Sequence, residues 1–449
     1  MYQILLFFDA LRCDYHADAR FANSLRRSEQ PSMGKPMQRQ MTWRWILVPA
    51  MVTVALCLPN ESPAQFDAGA INVKDLAKTD PTQPKSAAGD GKSDDTAAIQ
   101  AGADLAKARS YVLKPDGGSY LGSSTTLYFP AGHYLITDEI KLGPYTNIVS
   151  DSRAIIEQKT AGKSSFVFNN CYTISIRGLR FLRGKHQIWM DNKNVDSTVL
   201  DISECEFQLS SDYAIATQGT ASPTDPHMSA NLMINKCKFI RPRKVLRNVC
   251  DYAIVRDSWV TVGFENFDRD SAAFMNTSGV LMFDNMIGVP VFGSIDAEGR
   301  QSLDTKGVDR VRWIDNYGSV LAQKSRFGGE FGGIPIVHHF GLPETKYPKM
   351  GQTILIENSW ICAGPRIRKD SAVVTLRDGI PQLLRIIGNS NLVDGTLILN
   401  EAPAIPAFLK ANPEMKERIQ IEIHSNMTWP ATMPIPLELR PFQIPKGKS

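Results

Sequence analysis

What most limits the folds open to this chain is a short motif that returns along much of its length. It is an apolar strand closed by a polar residue and a turn: Ile174-Ser-Ile176-Arg-Gly178, Leu200-Asp-Ile202-Ser-Glu204, Leu232-Met-Ile234-Asn-Lys236, Ala253-Ile-Val255-Arg-Asp257 and Leu281-Met-Phe283-Asp-Asn285. Arg312-Trp-Ile314-Asp-Asn316, Ile354-Leu-Ile356-Glu-Asn358 and Arg385-Ile-Ile387-Gly-Asn389 continue it, with a weaker copy at Ile421-Glu-Ile423-His-Ser425. Successive central apolar residues lie 26, 32, 21, 28, 31, 42 and 31 residues apart.

Repetition of this kind means that each unit is one turn of a solenoid, with alternate residues pointing inward and the closing turn redirecting the chain. Equivalent positions then stack coil on coil. The pattern places Asn285, Asn316, Asn358 and Asn389 in one such stack, where each amide can bond its neighbours as in other asparagine ladders. It also aligns Cys205 and Phe207 with Cys237 and Phe239, and Trp259 with Trp360. Helical periodicity between the strands is slight, which argues against leucine-rich or helical solenoids. Propeller blades recur with a regular period of about 40 residues, unlike these uneven steps. The expectation is an all-β, single-stranded right-handed parallel β-helix. With 43% hydrophobic residues, the chain can fill one long core.

The segment 37–64 reads as a signal peptide: Arg39 and Arg44 are basic, the apolar run extends from Trp45 to Leu58, and Ser62-Pro-Ala64 supplies small residues for cleavage. Lipidation at Cys57 is disfavoured by Leu56 before it. Residues 1–36 carry no targeting pattern and are set aside as an extension, leaving 65–449 as the β-helix domain. Export to the periplasm, cell surface or medium follows, and no later run is apolar enough to insert in a membrane. The formal net charge is only +4 and no Lys/Arg cluster forms a basic stripe, so nucleic acid is not expected as a partner. Five cysteines, Cys171, Cys205, Cys237, Cys250 and Cys362, follow the cleavage site. An odd number leaves at least one thiol unpaired; their spacing fits no zinc motif, so buried apolar thiols are expected, with one disulfide left open.

The run Gly89-Asp90-Gly91-Lys92-Ser93-Asp94-Asp95-Thr96 precedes a helical stretch reaching about Arg109, with Ile99, Ala103 and Ala106 on one face. Ser93 or Asp94 suits the N-cap, and Asp95 the first turn. Thr126-Leu-Tyr-Phe-Pro130-Ala-Gly132-His-Tyr134 then gives a strand, a turn and another strand. This order resembles the N-terminal signature of the pectate lyase superfamily, of the pectate-lyase-3-like kind, in which a helix caps the open end of the β-helix. Asn72-Val-Lys-Asp75 is similar to the strand that precedes the signature there. The polar insert 77–88 stretches the usual link. Capping and turn roles account for the acidic residues of this region, so it marks architecture and not chemistry.

What the resemblance implies is an extracellular, uronic-acid-containing polysaccharide as partner, held in a groove along one sheet and walled by the longer turns. Three long insertions stand out: 218–230, 292–308 and 323–351. The last contains Gly328-Gly329-Glu330-Phe331-Gly332-Gly333 and the pair His338 and His339, expected in a loop where they serve as base or hydrogen-bond donors or simply face solvent. β-Elimination needs a cation to neutralise the uronate carboxylate and a base to take the adjacent proton. Lys185 and His186 are the catalytic candidates for this, with Arg183, Arg366, Arg368 and the stacking residue Trp189 as substrate-binding candidates. Solvated corners are the plain alternative for each basic cluster. Hydrolysis instead needs two facing carboxyls, roughly 5 to 9.5 Å apart, from Asp212, Asp268, Asp270, Asp296 and Glu298. The Asn-Thr-Asp, Asp-Asp and Gly-His-Gly motifs of polygalacturonases are absent. A polysaccharide lyase is the first expectation, a glycoside hydrolase the second, and a non-catalytic carbohydrate-binding or surface-structural β-helix the third. Calcium stays open as a cofactor without a local motif declaring it, and the assembly is expected to be a monomer or a homotrimer.

Overall fold

The computed structural model describes residues 69–79, 86–113, 121–168, 172–191, 197–218, 229–263, 272–291, 312–328, 336–341, 352–361, 372–390, 396–402, 404–427 and 439–440. All of them fall in one compact unit, Pro63–Ser449. The expected signal peptide and N-terminal extension lie outside the described residues, as do Cys171 and Cys362. Among the described residues no helix is long and apolar enough to cross a membrane.

One coil shows the plan. Ser197–Ser203 lies on a first face, a two-residue corner leads to Glu206–Gln208 on a second, and Tyr213–Gln218 follows on a third. The next coil repeats it with Ser229–Asn235, Lys238–Ile240 and Lys244–Asn248. Each strand pairs in parallel with its counterpart one coil on, as Leu200 with Leu232, Phe207 with Phe239 and Ile215 with Leu246. Among the described residues the first two faces make one 20-stranded sheet and the third an 11-stranded sheet. The protein is a parallel β-helix.

Inward positions form continuous columns. Phe181, Phe207 and Phe239 stack with centroids 5.2 and 4.9 Å apart, an arrangement that adds aromatic contact to apolar burial. Two coils further, Gly288 occupies that column, and a Cβ there would come within 2.7 Å of Trp313. The missing side chain makes room for this indole, which is fully buried.

From the coil of Ser197–Ser203 onward the corner between the first and second faces is uniform. Glu204, Lys236, Asp257, Asn285, Lys324, Asn358 and Gly388 all adopt positive φ between 48° and 66°. Each donates its backbone N–H to a carbonyl of the following coil, as Glu204 to Asn235 and Asn358 to Ile387. Non-glycine residues resist this conformation, and the inter-coil bond fixes it here. The residue after each is buried, including Cys205, Cys237, Ser258, Ser325, Ser359 and Asn389. Cys205, Cys237 and Cys250 are free buried thiols.

This register corrects two parts of the sequence-derived repeat. Phe283 pairs with Ala322 and Ala322 with Ile356, so the steps are 39 and 34 residues; Arg312–Asn316 belongs to the third face. Ile356 pairs with Ile386, not Ile387. The four asparagines therefore fall in three columns. Asn285 and Asn358 are corner residues, Asn389 is the buried residue after a corner, and Asn316 sits inside the third sheet. There the ladder is Asn248 to Asn276 to Asn316, with amide to carbonyl distances of 2.9 Å, ending on His339 Nδ1 at 3.0 Å.

The N-terminal end is closed by α1 (Thr96–Arg109), which buries Ala98, Ile99, Gly102, Ala103 and Ala106. Asp95 is at its N-cap position, yet its carboxylate accepts the N–H groups of Ala88 and Gly89 at 2.6 and 3.0 Å, while Asp94 accepts from Thr96 N–H at 3.0 Å. The Asp90 carboxylate accepts the N–H groups of Ser93 and Lys92, which hold its pKa down at about 2. At the other end α2 (Ala404–Ala411) buries Ile405 and Leu409, an element the sequence did not announce.

Candidate functional site: the outward face of the third sheet

Chain length between strands singles out one face. From Ser197 on, each described coil turns from the first to the second face in two residues, whereas the third sheet is bordered by 264–271, 292–311, 329–335 and 362–371 on the side where the chain enters it and by 192–196, 219–228 and 342–351 on the side where it leaves. In a parallel β-helix insertions leave at the corners, so the third sheet is the face the long segments flank.

Its outward residues are placed by register. Trp189, Ala216, Arg247, Met275, Asp315, His338 and Thr375 occupy one column, each a coil from the next. Neighbouring coils are separated by about 4.8 Å. At the entry edge of the same strands stand Tyr213, Lys244 and Arg312.

His186 precedes this sheet and is 4% exposed. Its ring stacks on Trp189 with centroids 4.6 Å apart and planes 14° from parallel. Nδ1 lies 3.1 Å from the Tyr213 carbonyl oxygen, which only a protonated Nδ1 can satisfy, so Nε2 carries the lone pair in the neutral ring. Nε2 is 3.8 Å from the carboxylate of Asp212. Burial pushes the His186 pKa down, outweighing the upward pull of Asp212, and keeps the imidazole neutral. Asp212 is 33% exposed and also lies 3.9 Å from Lys244 Nζ, which in turn sits 5.1 Å from the Tyr213 ring centroid.

Further along, Arg312 clamps Asp315 through two hydrogen bonds of 2.5 and 2.8 Å. Burial, then the charges of Asp212 and Asp315, push the Tyr213 phenol upward. His338 receives Arg377 Nε at 3.4 Å, and Arg377 is ion-paired with Glu401.

The structure thus brings His186, Asp212 and Trp189 together and separates other sequence candidates. His338 and His339 stand in the strand Val337–His339, not in a loop. Alternation sends His338 outward and His339 into the asparagine ladder, so only His338 belongs to this face. Arg183, Lys185 and His186 do not form one group. Arg183 is ion-paired with Glu157, a carboxylate 3% exposed that also receives His133 at 2.7 Å and Lys159 at 2.8 Å. Lys185 is exposed at the corner between them. Glu298, Arg366, Arg368, Asp268, Asp270 and Asp296 lie outside the described residues. Lys244, Arg247, the Arg312–Asp315 clamp and Arg377 were not anticipated. Among the described residues no three His, Cys, Asp or Glu side chains group as metal ligands, so this part of the face offers calcium no ready set.

Residues 83–255 match the family model described as rhamnogalacturonase A/epimerase, pectate lyase-like. No curated protein matches the chain. Among solved structures it is similar to PfbA, a surface adhesin of Streptococcus pneumoniae, at 14% identity over 80% of this chain and 92% of that one, with a TM-score of 0.41. A tailspike protein of E. coli bacteriophage HK620, in complex with a pentasaccharide, matches at 12% identity over 74% and 63%, TM-score 0.42. The A-module of an Azotobacter vinelandii mannuronan C-5 epimerase matches at 14% over 80% and 98%, TM-score 0.28.

Proposed function

We propose that the protein is exported by cleavage near Ala64 and cuts an extracellular, uronic-acid-containing polysaccharide by β-elimination on the outward face of the third sheet. The observation that carries this reading is the register column of Trp189, Arg247, Asp315 and His338, edged by Lys244 and Arg312. Its coil spacing is comparable to a pyranose residue, so a polysaccharide lying along the solenoid passes Trp189, Arg247 and Asp315 at multiples of that spacing, while Ala216 and His338 in the same column are buried. Trp189 offers a ring face for stacking. Lys244 and Arg247 meet the uronate carboxylate, and neutralising it acidifies the proton on the adjacent ring carbon. His186 and Asp212 handle that proton. As it leaves, the carbon–carbon double bond forms, the glycosidic C–O bond breaks and the departing sugar oxygen is protonated.

Hydrolysis is the second reading, for which Asp212 and Asp315 are the described carboxyls at this face. It is disfavoured because Asp315 is committed to Arg312, while hydrolysis asks one carboxyl to stay protonated.

The test is incubation of the exported protein, with and without calcium, with polygalacturonate and alginate, following ultraviolet absorbance of the unsaturated product and reducing ends together. Absorbance should rise, and Arg247→Ala should slow the rise about 10²-fold. Reducing ends without absorbance would move the chemistry to hydrolysis. Neither signal on any uronate polymer would sink both enzymatic readings and leave a binding protein.

A further inference from the structure

Register places Trp259 and Trp360, which the sequence repeat aligns, in one outward column of the second face: Lys238, Trp259, Ile287, Arg326 and Trp360 in successive coils. Their surroundings differ. Trp360 is half-buried, and the guanidinium of Arg326 covers its ring at 4.2 Å from the centroid. Trp259 is 47% exposed. Its Nε1–H donates to Thr261 Oγ1 at 2.8 Å, and Thr261 points out from the same face two residues on. That bond draws the indole along its own strand and leaves a broad side of the ring to solvent.

Trp259 contributes little to the core in this position, and its exposed ring, oriented by the bond to Thr261, is available for contact with a ligand. The neighbours indicate its kind. A protein hot spot sits at the centre of a dry, packed patch. Here the borders are the exposed Lys238 of the preceding coil and the hydroxyl-bearing Thr261, with half-buried Ile287 on the other side. An aromatic plane edged by a cation and a hydroxyl suits a pyranose ring carrying a carboxylate.

We propose that Trp259 and Lys238 form a second polysaccharide-binding platform, on the second face and apart from the groove of the third sheet. Trp259 stacks on a sugar ring and Lys238 meets its carboxylate, which tethers the polymer to the solenoid without cutting it. The inference rests on the polysaccharide reading above but uses no residue of the groove.

Affinity electrophoresis of the full protein through gels with entrapped polygalacturonate, alginate or uncharged dextran tests it. Retardation in a uronate gel should weaken roughly three- to ten-fold in Trp259→Ala, the range expected for losing one aromatic stacking contact. Trp259→Phe should keep most of it, and Lys238→Gln should lower retardation in uronate gels only. Product release from short soluble uronate oligomers should match wild type in all three variants. Arg247→Ala separates the two sites: it should lose product release while keeping the Trp259-dependent retardation. Equal migration of Trp259→Ala and wild type overturns the platform, and so does a wild type that no uronate gel retards. Self-association lost in Trp259→Ala with gel migration unchanged would assign the residue to a protein interface and equally overturn it.

Discussion

The corner between the first and second faces and the borders of the third sheet are built under opposite constraints. At the corner, each coil from Ser197 on spends the same two residues, the same left-handed backbone and the same hydrogen bond to the coil above. At the third sheet, connections range from the two residues Tyr317 and Gly318 to the twenty of 292–311. Stacking requires that one edge of each coil be invariant, since a slip there shifts every inward side chain. Once that edge is fixed, the opposite borders are free to vary in length. Regular stacking and variable length therefore fall on different sides of the same coil.

Substitutions can break that division. The largest effect is expected inside the invariant side: Phe207→Ala removes the middle ring of a stack and should cost about 3–5 kcal/mol in denaturant unfolding, while the surviving folded protein keeps its rate per molecule. A rate that fell along with stability would mean the two sides are coupled. Next comes the ladder behind the corner. Asn389 accepts the Ser359 N–H at 2.9 Å and donates to the Ile356 carbonyl at 2.8 Å. Asn389→Ala leaves that buried N–H without its acceptor and should cost about 1–3 kcal/mol, again without changing activity. The smallest effect is conditional on pH and concerns Glu157. Its burial raises its pKa, but hydrogen bonds from Lys159 and His133 and the charges of Lys159 and Arg183 prevail and hold it below the ordinary value. A depressed carboxylate stabilises the fold above its ordinary pKa of 4.5 and loses that contribution as pH falls through the folded value. The melting temperature of Glu157→Gln should thus lie below wild type near neutrality and converge with it on acidification; a gap that persisted or widened in acid would exclude the ion cluster as its source.

The solenoid was legible because apolar alternation survives in single copies such as Leu200-Asp-Ile202 and Leu232-Met-Ile234. It misled at Arg312–Asn316 because strands of the third face alternate in the same way, while the true copy, Val320-Leu-Ala322-Gln-Lys324, is marked by a small residue in place of a branched one. The slip from Gly388 to Asn389 has a similar cause, since asparagine and glycine both suit a left-handed corner. Glycines around His338 and His339 suggested a loop where a three-residue strand pairs with its neighbours on both sides. His186, Trp189 and Asp212 were found because titratable and aromatic residues cluster there in sequence. Lys244, Arg247 and Asp315 were not, because an outward charge on a strand looks like any solvated residue until register sets it one coil from another.

α1 has a consequence beyond closing the core. A stack of parallel strands carries unsatisfied backbone groups at its first rung, and nothing in its geometry prevents a second molecule from adding another. Ile71–Asn72 is the outermost rung of the first face here, only two residues long, and α1 lies beside it with small side chains facing down, so close that a methyl group on Gly102 would sit 3.1 Å from Leu127. The helix thus covers the end of the stack at which a strand of another molecule could otherwise pair.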